Sequence, residues 1–259
     1  MSWVTKTLSS SIGKKVLMAL TGIFLCTFLI VHMVGNLQLF KGDDGFAFNQ
    51  YAVLMTTNPL IKFVSYGLYA MILFHAFWGL YLEVQNRKAR PQRYAVVNNS
   101  SSWASRNMAI LGTILLVYIA VHMGDFWYEY KFGYVPFKEY VEEIKTGEII
   151  SQRSMEEGYV QEVKVVEYVD QEKDLRTIII KDLYAEVAES FRNPLLVVFY
   201  VLSMVALSYH LVHGFQSAFQ SLGLNHPKYT PLIKNVGIWV FAILIPLAFA
   251  AMPLYFLVK

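Results

Sequence analysis

Six histidines stand out in this sequence, because five of them fall in strongly apolar stretches: His32, His75, His122, His210 and His213. An ionisable side chain at membrane depth marks a functional site by default. The ordinary alternative for any one of them is a neutral ring bonded to a neighbouring helix. Four apolar stretches that each carry a histidine fit that alternative poorly. Depth sorts them further. His32 stands nine residues before Lys41, and His122 nine before Lys131. At 1.5 Å per residue each is roughly 14 Å from its charge. His75 stands thirteen residues after Lys62, and His210 eighteen after Arg192. Those two are roughly 20 to 27 Å from theirs. The histidines therefore form two pairs at two levels, His32 with His122 and His75 with His210. A haem takes two axial imidazoles from opposite faces, and facing helices of a bundle supply them. Two pairs at two depths correspond to two stacked haems. Zinc needs ligands that converge on one point, which suits separated pairs less well. Gly79 and Gly214 follow His75 and His210 at H-x-x-x-G spacing, one turn on along the same face, where a flat macrocycle would approach the backbone. That offset favours His210 over His213, which lies only about 4.5 Å further along the axis and is the alternative ligand.

The elements that must position these residues are helices in lipid. The chain has 259 residues, of which 56% are hydrophobic and 16% charged, and its mean hydropathy is +0.41. Soluble chains carry about 25% charged residues, so this composition argues against a soluble enzyme and against disorder. The net charge of +3 and sequence pI near 8.7 come without a dense basic tract, so nucleic acid is not an expected partner. Cys26, the one cysteine, rules out a disulfide within the chain and reads as a small buried hydrophobe. Five stretches reach the roughly 20 apolar residues that a helix needs to cross a bilayer. They are residues 16–40, 60–82, 108–128, 194–222 and 233–258. The expected fold is an all-α membrane protein, a single membrane domain over 1–259 built as a five-transmembrane-helix bundle. The first stretch is too long for a cleaved leader and has no clean small-x-small site after it.

Basic residues orient the path. Lys6, Lys14 and Lys15 precede the first stretch. Arg87, Lys88, Arg90, Arg93 and Arg106 lie between the second and third, and Lys228 and Lys234 between the fourth and fifth. By the positive-inside rule that side is cytoplasmic, which puts the amino terminus inside. Residues 131–189 then form an extracytoplasmic insertion between helices 3 and 4. It is acidic, with Glu142, Glu143, Glu156, Glu157, Asp170 and Asp174. Its β-branched and aromatic runs 159–168 and 175–180 flank a polar break and read as a β-hairpin.

The four histidines in four successive helices go together with three motifs. These are F-H-A-F-W-G (residues 74–79), S-Y-H-L-V-H-G-F (208–215) and N-S-S-S-W-A-S-R-N (99–107). At these residues the chain resembles the cytochrome b membrane anchor of bacterial succinate:quinone oxidoreductases (succinate dehydrogenase and fumarate reductase), of the single-subunit, five-helix, di-haem type. The resemblance covers most of the chain. It implies two haem b groups, with His75 and His210 as axial ligands of the proximal haem and His32 and His122 of the distal one. It also implies a flavoprotein partner carrying FAD, an iron–sulfur partner, a quinone (menaquinone in this type) and the bacterial cytoplasmic membrane. A dimer of heterotrimers is one assembly it allows. The sequence departs from the family at Ser208, where some fumarate reductases carry a glutamate linked to proton movement, and in the length of the acidic insertion.

Arg106, with Trp103, Ser105, Ser10 and Ser11, lies where a proximal haem would present its propionates, which call for cations and hydroxyls. An interfacial anchor is the ordinary role of such residues. Asn36, Gln38, Asn49, Gln50, Asp125 and Glu129 lie near the outer edge. Asp125, one turn beyond His122, is the candidate for handling protons at a quinone; a solvated helix-end carboxylate is its ordinary role. Pro246 and Pro253 are expected to kink the fifth helix, which has no histidine and reads as scaffold. Two other functions use the same histidines. A cytochrome b of a hydrogenase or formate dehydrogenase keeps the haems with a different partner. A transporter would use the rings for protons or metal, but no Asp or Glu lies in the middle of any expected span.

Overall fold

A computed structural model describes residues 2–89, 102–156 and 158–259. Arg90, Arg93, Glu157 and residues 99–101 of the third motif lie outside these. The chain is mostly helical, with a small antiparallel sheet. Among the described residues five helices are long and apolar enough to cross a membrane: α1 (Ser11–Phe40), α2 (Pro59–Lys88), α3 (Met108–Phe132), α4 (Pro194–Ser221) and α5 (Thr230–Val258). Their ends follow from local chemistry. Ser10 Oγ accepts from Gly13 N at 3.0 Å, so α1 starts before residue 16. Asn58 Oδ1 accepts from Leu60 N at 3.0 Å, ahead of a helix that opens on Pro59. α2 runs past residue 82 to Lys88, through good helix formers and a Glu83–Arg87 ion pair at 2.5 Å. Asn193 Oδ1 accepts from Leu195 N at 3.0 Å at the start of α4.

The chain forms two compact units. The first is Met1–Met33, Ser65–Ala120 and Val198–Leu254. Its core holds Cys26 of α1, Met204, Leu207, Leu211 and Phe215 of α4, and Phe241, Ala242 and Ile245 of α5. Phe215 stacks on Phe241 with centroids 4.5 Å apart. A Cβ on Gly237 would meet Phe215 at 2.8 Å, so that approach needs a glycine. Cys26 is buried, as expected of a small hydrophobe.

Pro246 has no backbone N–H. Four residues before it, the Ala242 carbonyl accepts from the Ser208 hydroxyl of α4. Such side-chain donors help to satisfy irregular helical backbone in lipid. The residues just before the proline, Gly237–Leu244, run as π-helix. Ser208 therefore has a defined task in the fold, linking α4 to α5 two residues before His210.

The second unit is Val34–Val64, Val121–Val197 and Tyr255–Lys259. The sequence reading of one hairpin is corrected here to four strands: β1 (Phe137–Glu143), β2 (Ile149–Ser154), β3 (Val165–Asp170) and β4 (Leu175–Lys181). They pair antiparallel in the order β2-β1-β4-β3. The hairpin β3–β4 closes at a turn where Asp170 Oδ1 accepts from Glu172 N and Lys173 N, and Asp174 takes a positive φ of 58°. Residues 159–164 are not strand. In the central pair, Tyr140, Ile178 and Ile180 are fully buried against Phe46 and Val53 of a further helix, Phe46–Thr57. Asn49 of that helix is also fully buried. Its amide donates to Asp182 Oδ1 at 2.7 Å, and its carbonyl oxygen accepts from Tyr184 N at 3.0 Å. Asn49 therefore joins the helix to the sheet's last turn and is structural.

Candidate functional site

In the first unit His75 of α2 and His210 of α4 stand side by side, with ring centroids 6.3 Å apart and planes at 66°. That spacing has a chemical meaning. With a metal about 2.0–2.1 Å from each imidazole nitrogen, and each nitrogen about 1.2 Å from its own ring centre, two rings on opposite sides of one ion have centroids about 6.4 Å apart. Rotation about the nitrogen–metal–nitrogen axis leaves the angle between the planes free. His75 and His210 would thus be spaced to hold one metal ion between them.

Three further contacts shape the pair. His75 Nδ1 lies 3.0 Å from Thr21 Oγ1 of α1. His210 Nδ1 is buried with no hydrogen-bond partner, which is an atom that calls for explanation in a folded protein. Glycines on neighbouring helices leave room at both rings. A Cβ on Gly22 of α1 would sit 3.5 Å from His75 Cε1, and one on Gly112 of α3 would sit 3.8 Å from His210 Cε1. These cross-helix glycines went unnoticed in the sequence, where attention fell on Gly79 and Gly214. A Cβ on Gly79 would meet Met18, and one on Gly214 only His210 itself at 4.0 Å. His213 is half-buried, and it is His210 that stands beside His75.

The F-H-A-F-W-G motif anchors α2 to α1. Trp78 Nε1 donates to Lys14 O at 3.2 Å, and the indole stacks between Phe74 at 5.4 Å and Tyr81 at 5.2 Å. Trp103 meets Tyr209 edge-on at 5.3 Å, next to His210 in sequence. It opens the short helix Trp103–Arg106, where Ser102 Oγ accepts from Ser105 N. Arg106 ends that helix exposed. The Ser10 hydroxyl is engaged in capping, donating to Thr7 O at 2.6 Å.

His32 lies in the first unit, stacked on Phe28 at 5.1 Å and tilted against Phe249 at 5.7 Å. His122 lies in the second, edge-on to Phe126 at 5.5 Å, and Phe126 meets Phe191 at 5.6 Å. Directly after His122 the backbone becomes π-helix over Met123–Tyr128, a distortion common at functional sites. Asp125 lies in this stretch. Its charge acts on Glu186 of the helix Leu183–Ser190. Burial first, then Glu129, Asp125 and Glu189, pushes the Glu186 carboxyl above its ordinary range. Glu186 was not singled out in the sequence, because only the fold brings it near Asp125.

Among the described residues no three His, Cys, Asp or Glu side chains converge as a metal-ligand group, so the full ligand set of a structural zinc site is not assembled there. Compared with known proteins, the chain matches no family model, no curated protein and no solved structure.

Proposed function

We propose that this chain is the di-haem cytochrome b anchor of a bacterial succinate:quinone oxidoreductase, working as succinate dehydrogenase or fumarate reductase. The observation that supports the reading is the 6.3 Å separation of the His75 and His210 rings, which would let the two imidazoles hold one haem iron between them. The donor set fits as well. Both ligands are neutral-type nitrogen donors, and glycines stand beside each ring. His75 and His210 would hold the proximal haem. His32 and His122 would hold the distal haem, an assignment that rests on their matched depth in the sequence. When bound, haem supplies one-electron transfer between an iron–sulfur partner and a membrane quinone. The chain's own residues orient the rings, keep water from them and fix the helices that carry them. Dicarboxylate chemistry belongs to the flavoprotein partner. Arg106 is assigned to a propionate and Asp125 to proton handling at the quinone, here menaquinone. The amino terminus is cytoplasmic, and the sheet-bearing segment between α3 and α4 is extracytoplasmic.

A pyridine haemochrome assay on the purified chain tests the reading. About two haems b per polypeptide are expected, with one lost in His75→Ala and in His210→Ala. A folded chain without haem, or a His75→Ala variant with both haems intact, overturns it. Succinate-dependent quinone reduction by the complex that co-purifies with the chain tests the partner assignment separately.

A further inference from the structure

We propose that Thr21 is a positioning residue for His75: its hydroxyl sets the tautomer of the ring and so decides that Nε2 carries the lone pair offered to a metal. The proposal rests on the haem reading above.

Thr21 is buried, 6% exposed, in the middle of α1. Its Oγ1 makes three contacts of 3.0 Å, to Leu17 O, Met18 O and His75 Nδ1. A hydroxyl has one proton, and the two carbonyls have none to give. If the ring were protonated at Nε2, one proton would have to serve all three contacts. The hydroxyl would turn to Nδ1 and its lone pairs would face two carbonyl oxygens at hydrogen-bond distance. If the ring is protonated at Nδ1, two protons serve the three contacts. The hydroxyl donates to the carbonyls, as threonine commonly does in helices, and accepts from Nδ1–H. Only the second arrangement places a proton in every contact. It leaves Nε2 deprotonated, which is the form a metal needs.

The two ligands are therefore unequal. His75 is held by a hydrogen bond to its remote nitrogen, whereas His210 Nδ1 has no such partner. A hydrogen bond at the remote nitrogen raises the basicity of a ligating imidazole and locks its orientation. A more basic ligand favours the more positive, oxidised iron. Thr21 should therefore hold the potential of the proximal haem down.

The experiment is redox titration of the haem bands in Thr21→Val and Thr21→Ser. In Thr21→Val the proximal potential is expected to move upward with the other haem unchanged. Proximal haem retention should fall about ten- to a hundredfold, the usual cost of losing an outer-shell partner. Thr21→Ser keeps the hydroxyl and is expected to titrate like the unaltered chain. A Thr21→Val variant with unchanged potential and haem retention overturns the proposal.

Nitrogen-15 histidine spectra of the full chain made without haem give a second readout, with His75 assigned by its loss in His75→Ala. Protonation at Nδ1 in the unaltered chain, moving to Nε2 in Thr21→Val, supports the proposal. An Nε2-protonated His75 in the unaltered chain overturns it, whatever the haem content. An Nδ1-protonated His75 in a chain that takes up no haem supports the tautomer assignment and removes the functional reading instead.

Discussion

At the scale of single residues, the space beside the His75 and His210 rings is bounded by glycines of neighbouring helices. A methyl at Gly22 or Gly112 would be in ordinary contact with a ring, at 3.5 and 3.8 Å. Gly22→Ala and Gly112→Ala should therefore retain haem. Gly22→Leu and Gly112→Leu place a branched side chain against these rings and, on the proposed haem reading, should lower haem content measured by the pyridine haemochrome. Gly79→Ala meets only the flexible end of Met18 and should leave that content unchanged.

A second residue-scale effect lies in the second unit. Lys164 lies against the Tyr130 ring at 4.5 Å. Burial first, and then the charges of Lys131, Lys181 and Lys62, pushes its ammonium down to about 8. An unfolded lysine titrates near about 10.4. Between these values the unfolded chain holds a proton that the folded chain has released, so stability rises as pH increases across the window. Thermal unfolding in detergent from pH 7 to pH 10 should show that rise. Lys164→Gln should flatten it and raise the unfolding temperature at pH 7.

At the scale of elements, α5 depends on α4 at one place. The Ser208 hydroxyl donates to the Ala242 carbonyl, one turn before Pro246. Ser208→Ala should cost about 0.6 kcal/mol and at most about 1.7, the range measured for hydrogen bonds between membrane helices. Unfolding in detergent measures the loss, and an undiminished stability in Ser208→Ala would remove this account of Ser208. The sheet was harder to read in the sequence than the helices. The glutamates of β1 make it look like a solvated loop, yet Glu139 pairs with Arg153 at 2.8 Å and Glu142 pairs with Arg176 across neighbouring strands. Such pairs appear only once the strands are in register.

At the scale of the whole molecule, the helices carry large exposed apolar side chains, among them Leu60, Phe63, Leu195, Leu202 and Trp239. None of the side chains of α2 is buried. Surfaces of this kind suit lipid, where helices satisfy their own backbone. The proposed orientation can be tested with cysteines, since Cys26 is buried and should not react in the native chain. Ser151→Cys on the exposed face of β2 should label with an impermeant maleimide added outside sealed cells. Lys88→Cys at the end of α2 should label only once the membrane is opened. The reverse pattern would invert the assignment.

Residue order alone carries the five long helices and the position of each histidine along them. Both follow from one-dimensional constraints, a bilayer's thickness and the rise of 1.5 Å per residue. The tertiary structure alone decided what stands across from each group. It set Thr21 against His75, put Gly22 and Gly112 rather than Gly79 beside the rings, and gave Ser208 the Ala242 carbonyl of α5. It also made Asn49 a buried link to Asp182. Those relations depend on the rotation of one helix against another, which residue spacing along a single chain does not encode.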